Sequence, residues 1–467
     1  MKCVLLDIGG LRADRLGCLG GRRPTSPALD SLASAGLCCD AAFSSDAAEA
    51  AARAALFSGR FGIATGVVTD GLSGDTIAGH TPVSEHGRAA ARPLLQEHLS
   101  AHGTLTAALS PFGRQPARWF YDGWQQVCDP WSAVPPSAVS AEQVNAAAAS
   151  WLDAHATSDF FLYLTYHDLS RTASSQLSPA ERAHRSPLAA HTAPVRQSDQ
   201  VFNRHCDLHA PYSPRTHRTM TREEAATLEL DYDARVRALD DAVASLVGII
   251  KSAGIFDQTA LVVTSDRGLL LGECGCYGGA ISTHYSSARV PLIIRAPQMF
   301  KPGTRLAHPC YTLDLGPTIC TLFGVPVPGG YHGLPLDGMV DGSVPARQHV
   351  VCSHGQFTAQ RALIADGWKL NRTWHSGFWD FPDTELFNVA TDPHETDNRA
   401  QREPQRVLDM LRSWRQWIEQ HQPGHADPLA RIACDEPPGF IRHGQDLRAR
   451  VRRGELEAPR AYKGRWA

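Results

Sequence analysis

The sequence predicts an α/β fold: a large mixed, mostly parallel sheet flanked by helices, then a small C-terminal antiparallel sheet with one helix. Three observations carry that expectation. Strand candidates alternate with helix candidates over the first 345 residues, the pattern of a sheet covered by helices. Those strands are continuous apolar runs rather than alternating ones, as strands buried on both faces must be. Beyond about residue 345 three short strand candidates precede a single helix.

Residues 2–6 read as a short buried strand. Ser26 is placed to cap a helix, with Pro27 at its first position and Gly36 past its end. Asp46 precedes an alanine-rich helix, 47–57, closed by Gly59, and Asp46-Ala-Ala-Glu49 has the spacing of a capping box. A helix over 90–102 ends at Gly103 and is followed by a strand, TLTAAL (104–109). Ser140 and Gln143 form a capping box before the next helix, and FFLYLTY (160–166) is a strongly apolar strand. Residues 169–206 are rich in Ser, Ala, His and Arg, which predicts a long, mobile polar insertion. Thr221 and Glu224 open a long helix running to about Ser252. ALVVTS (260–265) and VPLIIRA (290–296) are buried strands, and 314–324 is a helix with a terminal glycine. The later strands are expected at 349–353, 362–371 and 384–388, and the late helix at 404–421. The domain reading is therefore 1–345, a small α+β unit at 346–440, and a tail at 441–467 with eight Lys/Arg against three Asp/Glu.

With 43% hydrophobic and 20% charged residues the 467-residue chain has an ordinary globular composition. A net charge of -3 argues against nucleic acid or a membrane as partner. The apolar run before Asp7 is shorter than the roughly 7–15 residues of a secretory signal, so the expected location is cytoplasmic and the twelve cysteines are expected to be reduced.

Several segments together carry a resemblance. GLRADRLGCLG (10–20) with TSPALDSLASAGL (25–37), ARAALFSGRFGIATGV (52–67), YDARVRALDDAV (232–243), VVTSDRG (262–268), ARVPLIIRAP (288–297) and ELFNVATDPHETDN (385–398) occur in the order found in sulfatases. The chain resembles that family, within the alkaline-phosphatase superfamily. The resemblance implies a divalent cation, usually calcium, held by oxygen ligands at strand ends. It implies a Cys or Ser, converted to formylglycine, at a helix N-terminus where amides and dipole stabilise a sulfate. It also implies Lys and His residues that neutralise the ester and protonate the leaving group.

Most of those parts are replaced. The paired metal aspartates correspond to Gly9 and Gly10, and the nucleophile, four residues before the retained Arg53, to Glu49. The Lys-x-His pair falls near Pro111 and Gly113, the late Lys at Ile281 and an acidic pair at Ser286–Ser287. Asp266 is kept, but its Asn or His neighbour is Arg267. A further family histidine corresponds to His209 in DLHAPY (207–212).

One certain carboxylate supplies too little charge to strip a hydrated cation, and without a thiol or hydroxyl at position 49 no formylglycine forms. Arg267 is expected to take the cation's place and pair with Asp266, Asp7 or Glu49, since its planar fork matches carboxylates. Asp7, two residues before Gly9, shares a strand face with it and is a second candidate metal ligand. His284 is a candidate for the pocket or a packed-turn residue. The preferred reading is a non-catalytic homologue without cofactor, its pocket biased toward anions by Arg53 and Arg267, with an anionic small molecule or another protein as partner. The alternative is an active sulfuric-ester or phosphoric-ester hydrolase with a calcium site rebuilt around Asp7 and Asp266, served by His209 and His284. A third reading is a structural subunit that pairs with an active homologue.

Overall fold

The computed structural model describes residues 1–70, 77–78, 92–114, 117–170, 176–191, 197–208, 212–213, 218–377, 379, 381–422, 424, 426–435 and 452–454. His209 and nearly all of the basic tail lie outside the described residues.

The apolar runs become the strands of one sheet. In chain order they are β1 (Lys2–Ile8), β2 (Leu37–Cys39), β3 (Leu105–Leu109), β4 (Gln126–Cys128), β5 (Phe160–Tyr166), β6 (Thr259–Thr264), β7 (Leu292–Arg295) and β8 (Thr304–Leu306). They lie in the order β8-β2-β7-β6-β1-β5-β3-β4, and β7 alone runs antiparallel to its neighbours. Every residue of β1 is buried, because both faces of the sheet are covered. Cys3 and Leu5 enter one core, and Val4, Leu6 and Ile8 the other. Each such aliphatic side chain contributes about 1.5–3 kcal/mol by leaving water.

On the first face packs α2 (Glu49–Ser58), with α3 (Leu95–Ala101) and α8 (Leu315–Phe323) close by. The second face carries α1 (Pro27–Ser34), α4 (Ala141–His155) and α7 (Arg222–Ser252). The capping boxes Ser140–Gln143 and Thr221–Glu224 open α4 and α7. At α1 the predicted cap differs. Ser26 Oγ accepts from the Gly17 amide, and the first α1 amides go instead to Asp240 of α7, which accepts from Ala28 at 2.8 Å and Leu29 at 2.9 Å.

The predicted polar insertion is not irregular. It holds α5 (Pro179–Ala190), opened by a Ser178–Glu181 capping box, and α6 (Gln197–Leu208). The C-terminal unit is an antiparallel sheet, β9 (Val350–His354), β10 (Ala359–Ala365), β11 (Trp368–His375) and β12 (Thr384–Asn388), in sequence order. The single strand expected over 362–371 is two, because Asp366 and Gly367, both at positive φ, turn the chain. Helix α9 (Pro404–His421) covers this sheet through Met410 and Trp417, and α10 (Pro428–Asp435) follows. No helix among the described residues is long and apolar enough to cross a membrane.

Asp240→Ala removes the acceptor for the first two amides of α1, one buried and one part-buried, so unfolding free energy is expected to fall by about 1–3 kcal/mol. Urea denaturation measures this, and an unchanged midpoint contradicts the capping role.

Candidate functional site

Register brings the site together. β1 pairs in parallel with β5 and β6, so that Asp7 lies opposite Thr165 and Thr264. Their carboxyl ends therefore coincide, and His167 and Asp266, each two residues further on, stand at the same end of the sheet as Asp7. Crevices at such strand ends are where open α/β sheets bind ligands.

The centre of this place is the guanidinium of Arg53, a side chain only 1% exposed. It arrives from α2, which Phe57 holds edge-on against Tyr163 of β5, ring centroids 5.0 Å apart. Arg53 Nε donates to Asp7 Oδ2 at 2.8 Å and to the Tyr163 hydroxyl at 2.9 Å. The Tyr163 hydroxyl in turn donates to Asp7 Oδ2 at 2.7 Å. Arg53 Nη1 donates to Glu49 Oε1 at 2.7 Å and lies 3.5 Å from Asp266 Oδ2. The Phe112 ring lies 4.4 Å from the guanidinium carbon.

Arg267 closes the other side. It pairs with Asp266 Oδ2 and approaches Glu49 Oε2 at 3.8 Å, its side chain 12% exposed. Arg53 therefore joins Asp7, Glu49 and Asp266, and Arg267 joins the latter two. Asp70 adds a fourth carboxylate that accepts from the Ala50 amide at 2.6 Å. The N-terminal turn of α2, where a bound anion would gain from free amides, thus already holds a carboxylate. Four carboxylates against two guanidiniums leave no surplus positive charge, which corrects the expected anion-attracting bias of Arg53 and Arg267.

The expected capping box at Asp46 is also absent. The N-cap is Ala48, Asp46 accepts from Ser45 Oγ at 2.9 Å, and the chain at Asp46 bridges to Ser353 of β9. The small sheet has drawn Asp46 away, and Glu49 turns to the arginines.

The ionisation of these groups follows from their surroundings. Burial pushes the Asp7 carboxyl up to about 6, with Arg53 and Tyr163 opposing and the charges of Asp266 and Glu49 adding. Asp70 rises to about 6 for the same leading reason. At Glu49 burial acts upward, but Arg53, Arg267 and His167 outweigh it and hold the carboxyl below its ordinary value. His167 Nδ1 lies 3.7 Å from Glu49, and burial takes the ring down to about 4, so it is neutral at pH 7.

Gly10 shows why the backbone here suits no aspartate. Its φ is +87°, a Cβ would lie 3.0 Å from Leu269, and its amide donates to Asp266 Oδ1 at 3.1 Å. His284 does not enter the cluster. Its Nδ1 accepts from the Ser286 amide at 3.1 Å, capping the Tyr285–Ala288 turn, and its Nε2 meets the His394 carbonyl at 3.2 Å. Ile281 is buried among apolar side chains. Tyr163 and His167 were not anticipated; a hydroxyl within a strongly apolar strand is the signal that pointed to the first. Among the described residues no group of three or more His, Cys, Asp or Glu side chains is arranged as metal ligands would be.

A sulfatase family model matches residues 4–325. This chain belongs to the sulfatase family. Among curated relatives it is 28% identical over 178 residues to the N-acetylglucosamine-6-O-sulfatase of Bacteroides thetaiotaomicron, a match covering 36% of this chain and 31% of that one. It is 29% identical over 187 residues to the choline-sulfatase of Rhizobium meliloti, covering 39% and 35%. The matches thus span about a third of these relatives' length. The sulfatase fold extends further than that. A protein solved with its substrate D-glucosamine-2-N,6-O-disulfate superposes with a TM-score of 0.72 at 16% identity, over 91% of this chain and 99% of that one. The phosphonate monoester hydrolase of Agrobacterium radiobacter gives 0.66 at 16% identity, over 90% and 96%.

Two outcomes are expected. Arg53→Met leaves three buried carboxylates short of a counter-charge, and the protein is expected to lose about 3–5 kcal/mol of stability in denaturant unfolding. A loss below about 1 kcal/mol contradicts the central role of Arg53. The Asp7 carboxyl is raised in the folded state, so its contribution is complete below its unfolded value near 4 and is lost as pH rises through 6. Asp7→Asn is expected to flatten the decline of unfolding free energy between pH 4 and 6, with Asp70 retaining part of it. Parallel curves for wild type and variant contradict this.

Proposed function

We propose that this sulfatase-family protein is a non-catalytic homologue whose ester-hydrolysing and metal-binding centre has become a buried ion-pair cluster. The observation that carries the reading is Arg53, which engages Asp7, Glu49 and Asp266 together at the strand ends. A calcium ion needs six to eight oxygen ligands and counts on carboxylate charge. Here Asp7 Oδ2, Glu49 Oε1 and Asp266 Oδ2 are each taken by a guanidinium group, which leaves Asp7 Oδ1 as the one buried oxygen of these three carboxylates without a partner among the described residues, and Arg267 adds a second positive charge beside Asp266. The residues present do not fit the cation that the family implies, and no step is derived through it.

The absence of a nucleophile supports the same reading. Glu49 occupies the first turn of α2 with its carboxylate bound to two arginines, and it repels an anionic ester. No hydroxyl or thiol stands at that position to become formylglycine. His167, neutral at pH 7, carries no proton beyond its ordinary tautomer for a leaving group.

Calorimetric titration of the metal-stripped protein with calcium, magnesium, manganese and zinc is expected to release no heat of specific binding, and calcium is expected not to shift the melting temperature. Stoichiometric binding at micromolar affinity, abolished by Asp266→Ala, overturns the proposal. It would favour the hydrolase built around Asp7 and Asp266, to be screened on aryl sulfates and phosphodiesters.

A further inference from the structure

A second group of charges lies beside the strand-end cluster. Arg12, fully buried, holds Asp14 Oδ2 at 2.7 Å and Glu273 Oε1 at 2.9 Å and donates to the Leu269 carbonyl at 3.0 Å. His394 sits between Glu273 and Asp199, each 3.3 Å from one ring nitrogen. Phe202 of α6 stacks on His394, ring centroids 4.2 Å apart. Against this assembly opens a cavity of about 130 Å³, bounded by the Ala13–Thr25 segment, α6, α7 and the Tyr285 turn. None of Asp7, Glu49, Arg53, Asp266 or Arg267 lines it.

The walls are charged in a particular way. Arg15 pairs with Glu229 at 2.7 Å and Asp233 at 3.3 Å, Arg23 with Asp233 at 2.5 Å, and Arg22 with Asp199 at 2.9 Å. Asp14 is held by Arg12. Every carboxylate of the lining is thus already matched. Arg289 is not matched in the same way: its guanidinium donates to the Asp40 carbonyl at 2.8 Å and forms no ion pair with a described carboxylate. Arg15 Nε is buried with no hydrogen-bond acceptor among the described residues, its carboxylate contact being Asp14 Oδ1 at 3.8 Å. His394 between two carboxylates is a cation at neutral pH, since Asp199 and Glu273 outweigh its burial and raise it to about 9. Five cationic groups therefore face four carboxylates around this cavity, an excess of one positive charge. A metal ion has no spare ligand here, and an ammonium group would meet that excess.

The remaining surface is apolar and partly aromatic, formed by Phe202, Tyr285 and Pro393. A space of roughly 150 Å³ takes a benzene ring; at about 130 Å³ this cavity takes a ring only in part, so the head group enters and one edge of the ring stays at the mouth. We infer that the cavity beneath α6 binds a small organic monoanion, an oxyanion head at Arg289 and Arg15 with a flat or apolar body against Phe202 and Tyr285. A guanidinium fork suits the oxygens of a carboxylate and of a sulfate monoester alike. The excess of one charge is satisfied by a monoanion, and a dianion leaves charge uncompensated. The site lies apart from the strand-end cluster and does not depend on whether that cluster is inert.

The probes are benzoate, phenyl sulfate, inorganic phosphate and benzylamine, titrated into the full-length protein at pH 7 by calorimetry. One site for benzoate, phenyl sulfate or both is expected, the pair distinguishing the head group, with neither phosphate nor benzylamine bound at that site. Arg289→Gln is expected to weaken the bound probe at least tenfold. Asn203→Trp, a change at an exposed wall residue of α6 that leaves every cation in place, is expected to fill the mouth and abolish binding without lowering the melting temperature. No binding of either organic anion at millimolar concentration overturns the inference. So does tighter binding of benzylamine, or an affinity that Asn203→Trp leaves unchanged. These outcomes are read without added metal, so they stand or fall separately from the metal titration.

Discussion

A guanidinium buried at the carboxyl ends of three parallel strands is costly unless every neighbouring charge is arranged around it. Arg53 meets that condition through Asp7, Glu49 and Asp266, with the Tyr163 hydroxyl as a fourth contact. The arrangement is mutual, because the same carboxylates would be untenable in a dry core without it. The edge-on contact of Phe57 with Tyr163 then fixes where α2 lies on the sheet, so helix position and charge balance are one constraint. On the non-catalytic reading proposed above, the place where the family grips a cation and an ester serves here to hold the molecule together.

The second charged group extends the same logic toward the surface. Arg12 and Glu273 anchor the loops after β1 and β6, and His394 passes that connection on to α6 through Asp199 and Phe202. Helix α6 is therefore tied to these loops by charge and one ring stack, while α5 lies along α7 with Leu188 buried. The mixed-charge cavity follows from that mode of attachment, since ion pairs hold the walls apart where aliphatic packing would have closed them.

Much of the fold was legible because the strands are buried on both faces and write themselves as uninterrupted apolar runs. The capping boxes at Ser140 and Thr221 were equally readable, being local. Asp46 failed as a cap because a distant strand claims its backbone, and local spacing carries no trace of that. The helices of the insertion were not legible although Ser178-Pro-Ala-Glu181 has a capping-box pattern, since the polar composition masked them. Within the site, Arg53 and Arg267 drew attention by their positions in the family's order, and Asp7 by sharing a strand face with Gly9. The partners were not legible: Tyr163 meets Asp7, and His167 meets Glu49, only through parallel pairing of β1 and β5 across more than 150 residues, and no sequence period encodes that register. His284 had the right neighbours in sequence but points to the far side of its turn, toward His394.

Gly10 bears on what the site can accommodate as well as on packing. Its left-handed backbone, the nearness of Leu269 and its amide bond to Asp266 form one local solution. A chain carrying aspartate at that position would need a different backbone angle, a displaced leucine and a free Asp266 at the same time. An aspartate placed there by a single change would be strained by the backbone angle and crowded by Leu269, so one substitution does not build an acidic pair at this strand end.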